Sequence, residues 1–175
     1  ISFPVYKSIQ AKVDKQRLEM DINALERAVD NFVLEYNYMP YIGTAYPAAD
    51  DDYTGAEVTS LFTVLVGLPN AAHTANFKQI EFFEAREAKG GPGNYSDGLI
   101  ISGNTAQYYL PWGGREIYFM RLDHSMDGII TFGYGLGAHE TDLKYIYADK
   151  GPDDQWGSAA DPKDDFINYD PSDYQ

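Results

Sequence analysis

Leu18-Glu-Met-Asp-Ile22-Asn-Ala-Leu25-Glu-Arg-Ala-Val29-Asp-Asn-Phe32-Val-Leu-Glu-Tyr36 decides the fold. Leu18, Ile22, Leu25, Val29, Phe32 and Tyr36 recur at intervals of four, three, four, three and four, which is one apolar stripe along an α-helix. Ile9 and Val13 are read as carrying the stripe two turns further back. Lys12, Asp14, Lys15, Arg17, Glu19, Asp21, Glu26, Arg27 and Asp30 fill the intervals, as a solvated face requires. Pro40 is expected to stop the helix, with Tyr36, Tyr38 and Tyr41 packing where it ends. Helical from Val5 to Asn37, the segment is about 50 Å long at ~1.5 Å per residue. That exceeds what a domain of this size needs for its own core.

Downstream, a second helix is expected at Gly55–Val66, capped by Thr54 and ended by Gly67–Pro69. The period then shortens. Gln79–Phe83, Gly98–Ile101, Gln107–Leu110, Glu116–Leu122, Gly128–Phe132 and Leu143–Tyr147 are short runs rich in Ile, Tyr and Phe, read as antiparallel strands. Gly90-Gly91-Pro92-Gly93-Asn94 and Gly113-Gly114 break them. The expected fold is α+β: a long N-terminal α-helix packed against an antiparallel β-sheet, a short second helix and an irregular acidic C-terminal loop. All 175 residues form one domain in this reading, with the helix in 1–40, the short helix and sheet in 41–148 and the acidic loop in 149–175.

The chain carries 13 basic and 27 acidic residues, a formal net charge of −14. Such a charge repels a phosphate backbone, so nucleic-acid binding is not expected. No stretch approaches ~18 apolar residues, so no membrane span or signal peptide is read within these residues. Cysteine is absent, which removes thiol catalysis, thiolate metal sites and disulfides. The charge is uneven: residues 149–175 hold eight aspartates, two lysines and no glutamate, a net of −6.

Catalytic constellations are poor. His73, His124 and His139 have no ligand spacing and are read as surface residues. No serine sits in a nucleophile elbow. Gly133-Tyr-Gly-Leu-Gly137 has no clear helix behind it and is read as a loop. Carboxylates are abundant but in no recognisable paired placement, so the chain is expected not to be an enzyme. Asp123-His-Ser125-Met-Asp127-Gly128 fits the opening of a calcium loop, but its twelfth position is Tyr134 and its flanks read as strands. The preferred reading is a hairpin turn joining Glu116–Leu122 to Ile129–Phe132. The C-terminal acids are the better metal candidates. Asp149, Asp153, Asp154, Asp161, Asp164 and Asp165 fall within seventeen residues rich in turn formers, and six mutually repelling carboxylates suit Ca²⁺, which takes six to eight oxygens.

The arrangement resembles type IV pilin-like proteins, most closely the major pseudopilin of type II secretion systems. The residues that carry the resemblance are Ala11-Lys-Val-Asp-Lys-Gln-Arg through Asp21-Ile-Asn-Ala-Leu-Glu26, ending in Tyr36 and Met39-Pro40; Leu61 through Gly67-Leu68-Pro69-Asn70; Pro111-Trp112-Gly113-Gly114 through Asp127-Gly128; and Gly151-Pro152-Asp153-Asp154 through Asp164-Asp165-Phe166-Ile167. These look like the family's helix, short second helix, Asp-Pro-Trp-Gly hairpin and C-terminal calcium loop. Leu110 stands where relatives carry aspartate, and Asp149 and Asp153 compete for one position of the loop.

What the resemblance implies is a non-enzymatic subunit of a type IV pilus-like or pseudopilus filament, stabilised by calcium. Its partners would be copies of itself or related pilin-like subunits, met through the N-terminal helix, with Ile9 and Val13 the favoured contacts. The resemblance further implies an apolar helix and a short basic leader upstream of Ile1. The full-length form would be anchored in the inner membrane before assembly, at the periplasmic or extracellular face of a bacterial envelope. The competing reading is a carbohydrate-binding or adhesin domain, with the 15 tyrosines as sugar-stacking surfaces; tyrosines buried in the core count against it. An enzyme acting on glycans ranks third.

Overall fold

The computed structural model describes residues 3–69, 74–113, 119–133, 138–141, 144–149 and 166–167. It is an α+β fold with a long N-terminal helix, a short second helix and small antiparallel sheets. Helix α1 runs from Phe3 to Tyr36, about 51 Å at ~1.5 Å per residue. Pro40 does not end it. Asn37 does, in the left-handed region at φ 61°, where its N–H donates to the Val33 carbonyl at 2.8 Å. Asparagine tolerates this conformation at a helix C-terminus.

Helix α2 spans Ala56–Leu65. Thr54 does not cap it with its side chain; Gly55 takes the cap position at φ 51°, and the Glu57 carboxylate accepts the Thr54 N–H at 3.2 Å. The strands are β1 (Asp51–Thr54), β2 (Gly98–Ser102), β3 (Thr105–Tyr109), β4 (Phe119–Leu122), β5 (Ile130–Gly133), β6 (Ala138–Thr141), β7 (Tyr145–Asp149) and β8 (Phe166–Ile167). They form a four-stranded sheet in the order β1-β4-β7-β8 and two separate hairpins, β2-β3 and β5-β6, rather than one sheet. In the larger sheet Asp51 lies opposite Leu122, Leu122 opposite Tyr145, and Asp149 opposite Phe166.

Residues 79–83 were expected as a strand and are irregular. Their backbone groups are bound to α2 instead. The Phe82 and Phe83 N–H groups both donate to the Leu65 carbonyl, and the Asn76 amide ties the Val64 and Ile80 carbonyls together at 2.7 Å each. Gly67 permits this approach, since a Cβ there would lie 2.6 Å from the Ile80 carbonyl oxygen. Pro111-Trp112-Gly113 follows β3, and residues 114–118 after it lie outside the described ones.

One apolar cluster joins these elements. Leu18, Ile22, Leu25, Val29, Phe32 and Tyr36 of α1 meet Val58, Leu61, Phe62 and Leu65 of α2, and Met120, Leu122 and Tyr147 of the four-stranded sheet. Phe62 stacks on Tyr108 of β3 with ring centroids 5.4 Å apart. Leu110 is fully buried here and fills core. No helix among the described residues is long and apolar enough to cross a membrane.

Candidate assembly interface

Before Leu18 the described part of α1 has no fully buried residue, although Val13 and Asp14 are half-buried. Ile9 and Val13 do not belong to the core stripe. The step from Val13 to Leu18 is five residues, which at about 100° per residue turns some 140° away from the starting face. They align instead with Tyr6, Met20 and Leu34. Tyr6, Val13, Met20, Arg27 and Leu34 share one column because they are separated by sevens; four of the five are apolar, Arg27 interrupts them, and the column points away from the core. Tyr6, Ile9, Met20 and Leu34 are 60%, 53%, 67% and 81% exposed. Ordinary helices keep that face polar. Tyr6, Met20 and Leu34 were missed in the sequence, although the sevenfold spacing was there to find.

The charges along α1 are segregated as well. Lys7, Lys12, Lys15 and Arg17 outweigh Asp14 in residues 7–17, a net of +3. Glu19, Asp21, Glu26, Asp30 and Glu35 outweigh Arg27 in residues 19–35, a net of −4. This polarity opposes the helix macrodipole, which favours acids near the N-terminus and bases near the C-terminus. The first turn holds no acid and the last no base.

Of the eleven tyrosines among the described residues, five are buried and two are exposed. Tyr53, Tyr108 and Tyr147 are fully buried, and Tyr36 and Tyr41 nearly so. Past the end of α1 the Tyr36, Tyr38, Tyr41 and Tyr46 rings pack on one another at 5.3–5.7 Å. Their hydroxyls are spent internally: Tyr36 donates to the Asn76 side chain at 2.7 Å, Tyr38 to the Ala75 carbonyl at 2.8 Å and Tyr46 to the His124 carbonyl at 2.8 Å. His124 is not a surface residue. Its Nε2 lies 3.0 Å from the Tyr53 hydroxyl and 3.1 Å from the Pro40 carbonyl, and burial pushes its pKa down.

The Asp123 loop is not a hairpin turn between β4 and β5. Strands β4 and β5 are not paired. The Asp123 carboxylate is occupied by the Ser125 hydroxyl and the Gly128 N–H, both at 3.0 Å, and Asp127 accepts the Ile129 N–H at 2.9 Å. Among the described residues no three His, Cys, Asp or Glu side chains are grouped to hold a metal. The predicted ligands Asp153, Asp154, Asp161, Asp164 and Asp165 lie outside those residues, as do His73 and the centre of the Gly133–Gly137 loop. Asp149 ends β7 opposite Phe166, so the backbone brings the two ends of the aspartate segment side by side.

A second cluster escaped the sequence reading. Asp97, buried before β2, receives Arg86, Lys89 and Arg17, while Asp21 of α1 receives the other face of Arg86 and the Tyr108 hydroxyl. Arg17 and Asp97 are 80 positions apart, so no local pattern announces the pairing.

Comparison with protein-family models, with curated proteins and with solved structures finds no match for this chain.

Proposed function

We propose that this chain is a structural, non-catalytic subunit of a filament of the type IV pilus or pseudopilus kind, packing against copies of itself or related subunits through α1 at the bacterial envelope. The observation that carries the reading is the set of exposed apolar residues Tyr6, Ile9, Met20 and Leu34, with Val13 half-buried among them, on the side of α1 opposite its core stripe. A solitary domain gains nothing from exposing that set along a 34-residue helix. The inward-facing tyrosines support this reading over a sugar-binding surface. The absence of cysteine makes the test clean. Val13→Cys and Met20→Cys variants should form intermolecular disulfides in concentrated solution, whereas Glu87→Cys, on the exposed surface of the globule, should not. Equal yields at all three positions, or none, would remove the interface.

Calcium bound by Asp153, Asp154, Asp161, Asp164 and Asp165, with Asp149 as an alternative, is part of the same proposal. A cation bound only by the folded state stabilises it by about 2.7 kcal/mol at a hundredfold excess over Kd. Millimolar calcium should therefore raise the melting temperature above that in chelator, and sodium at equal ionic strength should not. A shift that survives in both Asp153→Ala and Asp164→Ala variants would assign the effect elsewhere.

A further inference from the structure

We infer that Arg17 and Asp97 are positioning residues: their ion pair, with the Asp21–Arg86–Tyr108 cluster beside it, fixes the direction and the roll with which the exposed N-terminal arm of α1 leaves the globule. The cluster sits where the arm departs. Arg17 directly precedes Leu18, the first buried residue among the described side chains of α1, and the fourteen residues Phe3–Gln16 extend about 21 Å beyond it. Arg17 and Asp21 are one turn apart on one side of the helix. Each is fastened to the region of the β2-β3 hairpin. Arg17 Nη1 donates to Asp97 Oδ2 at 2.9 Å, and Asp21 accepts two hydrogen bonds from Arg86, at 3.0 and 2.7 Å, and one from Tyr108 at 2.6 Å.

The receiving side is rigid. Asp97 is held in the left-handed region at φ 58°, its N–H bound to the Leu110 carbonyl at 2.9 Å. Its side chain is 3% exposed and is gripped by Arg86 Nε at 2.9 Å and Lys89 Nζ at 2.5 Å. The other ion pairs of α1 with the rest of the domain, Asp30–Lys144 and Glu35–Lys78, are single and solvent-exposed, a class that contributes little.

An apolar stripe alone does not fix the roll. Hydrophobic burial is non-directional, whereas a hydrogen bond has a preferred distance and angle and so adds an angular reference of its own. Buried polar groups are costly to misalign, and setting register is their best-attested use. Two fastenings on one helical turn define both tilt and azimuth, and so aim Tyr6, Ile9 and Val13. The value of that aim rests on the assembly reading. The measurement below uses dilute monomer, so its failure leaves that reading intact, and absent cross-links would leave the clasp intact.

The test is a pair of spin-label distances from Ile9→Cys on the arm, one to Ile101→Cys and one to Phe77→Cys, all three exposed positions. The parent should give two narrow distributions. Arg17→Met, at a partly exposed side chain, should keep its melting temperature yet broaden both, and Asp97→Asn should broaden them further. Arg17→Lys should restore the narrow form, because Arg17 reaches Asp97 through a single nitrogen. Unchanged distributions in folded Arg17→Met overturn the inference, as does a lowered melting temperature without broadening. Should Asp97→Asn fail to fold, Arg17→Met alone decides.

Discussion

From Phe3 to Arg17 and from Leu18 to Tyr36, α1 obeys one helical geometry in two different environments. The second half buries Leu18, Ile22, Leu25, Val29 and Phe32 at 4% exposure or less, while the first leaves Tyr6 and Ile9 more than half exposed. The contrast does not follow from apolar content, because both halves contain large apolar side chains. It follows from phase. After Val13 the core stripe begins five residues on instead of four, and that offset places the earlier residues on the far side of the helix. Hydrophobicity marks a residue for burial somewhere; the angular phase decides against what.

The largest effect should come from the core half. Phe32→Ala is expected to cost about 3–5 kcal/mol by cavity formation and lost burial, read as a drop in the urea midpoint. Leu34→Ala, two positions on but turned outward, should stay within about 0.5 kcal/mol. Similar losses at the two positions would break the comparison. Tyr108→Phe should cost about 1.5–3 kcal/mol, the range for a hydrogen bond to a charged group, here the bond to Asp21. A loss in that range would show that the boundary between the halves is held by polar contacts as well as by packing.

Acid should act on the same boundary. Burial alone would push the Asp97 carboxyl up, but hydrogen bonds from Lys89 and Arg86, with the Arg86 and Arg17 charges, hold its pKa below the ordinary 3.8. Its contribution is complete above that value and is lost as the pH falls through the lowered one. Asp97→Asn should therefore flatten the acid limb of a stability–pH curve below about pH 4. His124 works in a separate window. Its pKa is lowered, chiefly by burial, so the unfolded chain takes up the proton first and stability declines as the pH falls below 6.5. His124→Gln should remove that slope and leave the Asp97 limb in place. The smallest effect is expected at the arm: Ile9→Glu should leave monomer stability unchanged in a urea melt.

How much of this was legible depends on the range of the interaction. The core half of α1, α2, and strands β2 and β7 announce themselves through local periodicity and turn residues. Strand β1 does not, since Asp51, Asp52 and Thr54 are poor signals and only Tyr53 points inward; Asp52 is stabilised opposite Arg121, 69 positions away. Residues 79–83 carry a strand-like composition, yet the Leu65 carbonyl and the Asn76 amide claim the backbone first. His124 looked like a surface residue because nothing nearby in sequence reveals Pro40 and Tyr53 as its neighbours. The seven-residue column was present in the sequence but masked by a stronger stripe on the opposite face.

The pairing of β8 with β7 has a consequence in chain entropy. Opposing Asp149 to Phe166 closes a loop of sixteen residues, and the length-dependent part of that closure costs about 2.5 kcal/mol. The return is two ladder positions, Ala148 with Ile167 and Asp149 with Phe166, where net hydrogen bonds contribute about 0.5–1.5 kcal/mol each. Closure and pairing are of similar size, so two ladder positions alone leave β8 a marginal outer strand, held far more weakly than the β4–β7 pairing inside it.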